Sequence, residues 1–162
     1  METHHRRFSP LLIGLLVIFV AIVLLLNVAS ARWTKSRAEE ERQAIQHVLD
    51  AQVAAWNRHD LKGFMAGYWQ SPELTFFSGK EVYSGWQAAY ERYQKRYLAE
   101  GPDKMGTLSF AELKIDLLGP DSAVVRGRWK LITKKEPLGG LFTLIFKKNP
   151  EGWRIVHDHT SG

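Results

Sequence analysis

Sixteen consecutive residues without a polar side chain, Leu11 to Leu26 (LLIGLLVIFVAIVLLL), divide this 162-residue chain before anything else is considered. Low polarity continues to Ala31, and at about 1.5 Å per residue a helix over 11–31 spans the ~30 Å hydrocarbon core of a bilayer. Arg6 and Arg7 precede the run, and Ala29-Ser30-Ala31 has the form of a signal-peptidase site. A cleaved signal peptide and an uncleaved signal anchor both fit this layout. The run exceeds the usual h-region of about 7–15 residues, which favours the anchor. Arg32, Lys35 and Arg37 on the far side balance Arg6 and Arg7, so orientation follows from the short N-terminal tail and the signal-like layout rather than from charge. The C-terminal body is expected outside the cytoplasm, membrane-attached or, after cleavage, secreted or periplasmic.

Four segments result: a basic tail at 1–10, the membrane segment at 11–31, a charged linker at 32–40 and one folded domain at 41–162. The chain has 22 Lys plus Arg against 17 Asp plus Glu. Residues 1–37 carry five basic side chains and one acid, leaving 17 basic against 16 acidic in the body. A nearly neutral body lacks the basic footprint that phosphate-backbone binding requires, so no nucleic-acid partner is expected. With no cysteine there is no disulfide framework, thiolate nucleophile or Cys-ligated metal.

In the body, Ile45, Val48, Leu49, Val53 and Trp56 follow the spacing of an amphipathic helix over 38–56. Asp60 is an N-cap for a short helix over 61–69, which Ser71-Pro72 stops. Residues 74–77 and 81–83 read as a hairpin around Ser78-Gly79-Lys80. A third helix over 86–98 places Trp86, Ala89, Tyr90, Tyr93 and Tyr97 on one face. Strands are expected over 107–118, 123–133, 141–148 and 153–160, with turns at Gly119-Pro120-Asp121, near Pro137 and Gly139-Gly140, and at Asn149-Pro150-Glu151-Gly152. The order α-α-β-β-α-β-β-β-β implies an α+β fold, a curved antiparallel sheet wrapped around three helices with a cavity between them.

The segments AWNRHDL, SGWQAAYERY, DSAVVRGRWKL and GWRIVHDHTSG, in this order, resemble the nuclear transport factor 2-like superfamily in its SnoaL-like, ketosteroid-isomerase-like branch. The closing strand is also similar to the association (hub) domain of calcium/calmodulin-dependent protein kinase II. The resemblance covers about residues 42–162. It implies a cone-shaped α+β barrel, usually a homodimer, with an apolar pocket. It does not imply one activity, since members include isomerases, cyclases, hydrolases, dehydratases, transport adaptors and oligomerisation hubs.

Alternation along 153–160 puts Trp153, Ile155, His157 and His159 on one face and Arg154, Val156, Asp158 and Thr160 on the other. Similarity to the hub domain turns Asp158 and Thr160 into the cavity, and Trp129 and Thr143 with them, at positions where hub domains carry arginines. Asp158 is the candidate catalytic acid or base, because an aromatic pocket raises an aspartate towards a useful proton-transfer range. Steroid isomerases pair an Asp base with an acidic hydrogen-bond donor, and Tyr68, Tyr83 or Tyr90 is the candidate donor here. The plain alternative is that Asp158 accepts a hydrogen bond from Arg126, Arg128 or a Trp indole and serves the sheet alone. Trp56, Tyr68, Phe76, Trp86, Tyr90 and Trp129, with Thr143 and Thr160, are the candidate ligand-binding residues.

His157 and His159 supply two imidazoles where a zinc site needs at least three protein ligands, so no metal is expected. They are expected to pack among Phe142, Leu144 and Phe146 or at a dimer interface. No cofactor fingerprint is present. Arg126, Arg128 and Lys130 form a stripe that reads as a solvated face paired with acids. The sequence thus points to a membrane-tethered pocket domain binding a small, largely apolar molecule, with isomerase-, cyclase- or hydrolase-type acid-base chemistry at Asp158. The alternative is a non-catalytic dimerisation or accessory module.

Overall fold

The computed structural model describes residues 10–99, 101, 105–134 and 136–162, with the backbone alone at 10–18, 21 and 26–33. The basic tail at 1–9 lies outside the described residues, as do most side chains of the apolar run. Among the described residues no helix is long and apolar enough to cross a membrane. The chain divides into two compact units, Met1–Glu40 and Glu41–Gly162.

Helix α1 runs Pro10–Asn57, so the charged segment 32–40 is helical. Within the second unit, Ile45, Leu49, Gln52, Ala55 and Trp56 are its buried positions, at helical spacings of three and four along one face. The helix stops because His59 takes a left-handed backbone at φ 64°, after which Asp60 caps α2 (Leu61–Met65) by accepting from the Gly63 N–H at 2.7 Å. Asn57 joins this corner to the sheet. Its side-chain amide donates to the Leu108 carbonyl at 3.0 Å and accepts the Leu108 N–H at 2.7 Å, copying a strand's pairing.

The remaining elements are β1 (Thr75–Ser78), β2 (Glu81–Ser84), α3 (Trp86–Tyr93), a π-helical turn (Gln94–Leu98), β3 (Thr107–Leu117), β4 (Ser122–Ile132), β5 (Pro137–Asn149) and β6 (Gly152–Thr160). The element order is the expected one. The six strands form a single sheet in the order β2-β1-β6-β5-β4-β3.

Two expectations about the sheet need correction. The sheet is mixed rather than antiparallel throughout, because β1 lies parallel to β6. The cause is visible upstream of β1. The Trp69 N–H donates to the Ile155 carbonyl and the Ile155 N–H to the Gly67 carbonyl, each at 2.9 Å, so the chain already runs beside β6 in the same direction. Secondly, Pro137, Gly139 and Gly140, expected in a turn, lie inside β5. Pro137 opens the strand, where its missing N–H matters least.

The core lies between the inner face of the sheet and the helices, where Val125, Leu131, Phe146 and Ile155 bury against Ile45, Leu49, Met65 and Ala89. The outer face of β4 carries Arg126 and Arg128, which pair with Asp116 and Glu112 of β3 at exposed positions, as a solvated stripe should.

Gly140 illustrates how tightly the last residues lie on the sheet. A Cβ there would stand 1.7 Å from the Ser161 carbonyl oxygen, and the Ser161 N–H is bound to the Leu141 carbonyl at 2.9 Å. Backbone on both sides leaves no soft neighbour to give way. Gly140→Ala is expected to lower the unfolding free energy by about 1–3 kcal/mol. Gly119→Ala, where the nearest neighbour of a Cβ is 3.5 Å away, serves as the control, and urea unfolding followed by tryptophan fluorescence measures both.

Candidate functional site

The site begins with a register shift. β6 pairs with β5 from Asn149↔Gly152 to Phe146↔Ile155, then resumes at Ile145↔His157, so Val156 is an extra residue opposite no partner. Such a bulge reverses the alternation beyond it. Trp153 and Ile155 face the core before the bulge and Asp158 faces the interior after it, at 2 %, 0 % and 2 % exposure. Strict alternation, which separates Ile155 from Asp158, is therefore wrong here. Thr160 follows on the face of Asp158, while His157 and His159 turn outward.

Asp158 holds two hydroxyl donors. Tyr68 Oη donates to Oδ2 at 2.7 Å and Thr160 Oγ1 to Oδ1 at 2.6 Å. Tyr68 is held there because its backbone bridges to Ile155, just before the bulge. Among the described residues no arginine and no indole is a hydrogen-bond partner of Asp158. Each carboxylate oxygen keeps acceptor capacity beyond the bond it has.

Aromatic rings surround this carboxyl. Phe64 lies 5.9 Å from Tyr68 and 5.2 Å from Tyr93, and Trp56 lies 5.0 Å from Phe64 and 4.9 Å from Tyr97, mostly edge-to-face. Burial among these rings pushes the Asp158 carboxyl up to about 6, although Thr160, Tyr68, Arg92 and His159 all favour its charged form. Desolvation therefore outweighs four opposing contributions. Burial, then the charge of Asp158, holds the Tyr68 hydroxyl well above the ordinary tyrosine range. Tyr93, beside it, is raised by the same causes. The tyrosines are thus neutral donors at any physiological pH. The carboxyl is a group that exchanges a proton near neutrality.

Asp158 opens on a cavity of about 70 Å³ between the sheet and the helices. Of the expected ligand-binding residues, Trp56, Tyr68, Phe76, Trp129 and Thr160 line it. Trp129 is fixed by its indole N–H, which donates to the Ser161 carbonyl at 3.0 Å. Three others do not line it. Thr143 is exposed on the outer face opposite His159, because Phe142 and Leu144 take the inner positions of β5. Trp86 and Tyr90 stack on each other at 5.0 Å, and the Trp86 indole donates to the Met65 carbonyl, so they brace α3 against α2. A volume of about 70 Å³ holds several waters and is far below the several hundred cubic ångströms of a drug-sized pocket.

The cavity also contains residues the sequence did not single out. Arg92 and Arg96 line it together with Tyr93 and Tyr97. Arg92 lies near the end of α3 and Arg96 in the π-helical turn Gln94–Leu98 that continues it, four residues on and so on the same face. The only sequence signal was adjacency, as Arg92 and Arg96 directly precede the two tyrosines of the expected apolar face. Arg92 Nη2 donates to Ser78 Oγ at 2.7 Å, and its guanidinium stands 4.8 Å from the Phe76 ring centre, 5.2 Å from Tyr93 and 5.7 Å from Tyr83. Its Nε is buried and finds no acceptor among the described residues.

On the outer face, His157 Nδ1 lies 2.6 Å from Thr75 Oγ1, and both imidazoles pack on Phe77, at 4.9 and 5.9 Å. Their expected neighbours Phe142, Leu144 and Phe146 face the core instead, a direct result of the bulge. Partial burial, then the neighbouring His159, lowers His157 below the usual imidazole range. Among the described residues no group of three or more His, Cys, Asp or Glu side chains converges as a metal site would require.

Comparison with known proteins agrees with this geometry. Residues 45–162 match the SnoaL-like domain family. An NTF2-like protein of unknown function from Shewanella oneidensis is 35 % identical and superposes with a TM-score of 0.71 over 75 % of this chain and 98 % of its own. A ketosteroid isomerase-like protein from Erwinia carotovora (21 % identity, TM-score 0.58, 75 % and 95 % of the two chains) shares the fold. So does a putative calcium/calmodulin-dependent protein kinase II association domain from Xanthomonas campestris (18 % identity, TM-score 0.58, 73 % and 84 %). No curated protein matches in sequence. With a family match over more than half its length and a mixed six-stranded sheet around a buried aromatic cluster, the chain belongs to the SnoaL-like domain family of the NTF2-like superfamily.

Proposed function

We propose that this protein is a membrane-tethered SnoaL-like domain that works outside the cytoplasm as a homodimer. It binds a small molecule in the aromatic cavity and uses Asp158 as the acid or base of a proton transfer. The observation that carries the reading is Asp158 itself, a nearly inaccessible carboxyl facing a cavity, with two hydroxyl donors and a pKa pushed up to about 6. A carboxyl in this range takes and returns a proton near neutral pH, as general acid–base catalysis demands. The small cavity favours a ligand of few heavy atoms over a polycyclic one. Similarity in fold to a ketosteroid isomerase-like protein supports the chemistry.

A non-catalytic dimerisation module is the second reading. It is favoured by the smallness of the cavity and by the fold shared with a putative kinase association domain. Native mass spectrometry of the full chain, released from mild detergent, separates the two. A dimer carrying a co-purified small molecule is expected, and Asp158→Asn should then abolish its turnover while leaving it bound. A dimer that retains no small molecule under any gentle condition supports the module.

The membrane reading rests on the apolar run and on the exposed side chains of Phe19, Leu24 and Leu25, at 65, 60 and 69 %, which water does not favour. The uncleaved anchor predicts that the full-length chain stays in the membrane fraction after alkaline carbonate extraction. A soluble product lacking residues 1–31 is the outcome that contradicts it.

Asp158 also leaves a mark on stability. Its folded pKa of about 6 lies above the ordinary carboxyl value of 3.8. The native state therefore binds more protons than the unfolded chain between these limits, and stability falls as pH rises through this window. The loss amounts to roughly 3 kcal/mol. Asp158→Asn removes this component, so its stability relative to wild type should rise by up to about that amount between pH 4 and pH 7, measured by urea unfolding at each pH.

A further inference from the structure

We infer that Arg92 and Arg96 form a carboxylate-binding subsite at the mouth of the cavity, so that the ligand is a small organic acid whose apolar part lies among the aromatic rings. The inference rests on the reading of the cavity as a ligand site and adds the charge of the ligand to it.

Three observations carry it. The first is geometric. Arg92 and Arg96 are four residues apart on one face of the α3–π segment, and both line the cavity. Arg92 is half-buried and Arg96 exposed, which sets a gradient from the interior to the mouth.

The second is the state of the two guanidinium groups. Among the described residues neither forms an ion pair with a carboxylate. Glu81 and Glu91 share an outer groove with them, yet neither pairs. Arg92 relies on one serine hydroxyl and three ring faces, and its buried Nε has no acceptor. A half-buried cation held this way keeps unspent capacity for an anion, and the planar fork of guanidinium donors matches a carboxylate.

The third is the charge balance of the wall. Among the described residues its ionisable side chains other than tyrosines are Arg92, Arg96 and Asp158, two cations to one acid. The carboxyl of Asp158 repels a ligand anion, which places that anion at the arginine end and the rest of the ligand against Asp158. A rigid aromatic wall with one charged end thus orients a small acid in a single sense.

The test uses the full chain in phosphatidylcholine nanodiscs and two matched probe pairs, butyrate with butyramide and benzoate with benzamide. Binding is read from the indole N–H resonances of Trp56 and Trp129, both of which line the cavity. Each acid is expected to bind roughly tenfold or more tightly than its isosteric amide, the margin of one charge-assisted contact. Arg92→Met and Arg96→Met should each bring the acid-to-amide ratio towards one while amide binding persists. Because Arg92 also packs on three rings, Arg96→Met, at an exposed position, keeps the test decisive if Arg92→Met fails to fold. Equal binding of acids and amides by wild type, or an unchanged ratio in Arg96→Met together with any folded Arg92→Met, overturns the carboxylate subsite and leaves the aromatic ligand site standing. Failure of every probe to move either indole overturns both.

Discussion

One unpaired residue, Val156, sets the relation between the core and the site. A strand alternates, so a regular β6 would bury either Ile155 or Asp158 but not both. The bulge lets Trp153 and Ile155 close the core and then turns Asp158 and Thr160 inward within the same strand. Just before the bulge, Ile155 pairs with the chain around Tyr68, and that bridge delivers the tyrosine hydroxyl to the carboxyl. The position of the carboxyl, both of its hydroxyl donors and the parallel course of β1 all follow from this short stretch.

The interior that results is governed by competition between burial and polar support. Aromatic rings withdraw Asp158 from water and disfavour its charge, while two hydroxyls and Arg92 favour it. Burial prevails, by enough to bring the carboxyl close to neutral pH and not so far as to keep it permanently protonated. A single donor fewer would shift this balance upward. The cation enters from the helical side, on the segment that passes from α3 into the π-helical turn. Asp158, its two hydroxyl donors and the arginines thus come from three separate stretches, the α2 exit, the α3–π segment and the bulged final strand.

Much of this was legible in the residues. The buried faces of α1 and of the third helix, the Asp60 cap, the hairpin around Gly79 and the four long strands are local patterns, set by period, turn chemistry and capping. Asp158, Tyr68, Trp56, Phe76, Trp129 and Thr160 are site candidates by sequence and meet in one cavity. Thr143, Trp86 and Tyr90 are candidates of the same kind and do not line it. For Thr143 the inner positions of β5 belong to larger apolar neighbours. Trp86 and Tyr90 satisfy each other and α2 instead of a ligand. Arg92 and Arg96 give no such signal, because a charged residue beside an apolar helical face ordinarily reads as solvent-exposed.

The division has a physical reason. Periodicity, turn residues and caps act over a few residues, so they determine element order, the α+β class and the apolar stretch that separates the N-terminal segment from the body. A bulge, a parallel bridge and a π-turn depend instead on what lies across the sheet or beneath the helix. Their energies come from partners distant in the chain, such as Ile145 and Phe146 for Val156, or Gly67 and Trp69 for Ile155. Tertiary packing alone therefore decided that Asp158 faces inward together with Ile155, that Tyr68 is one of its donors, and that two arginines line the cavity.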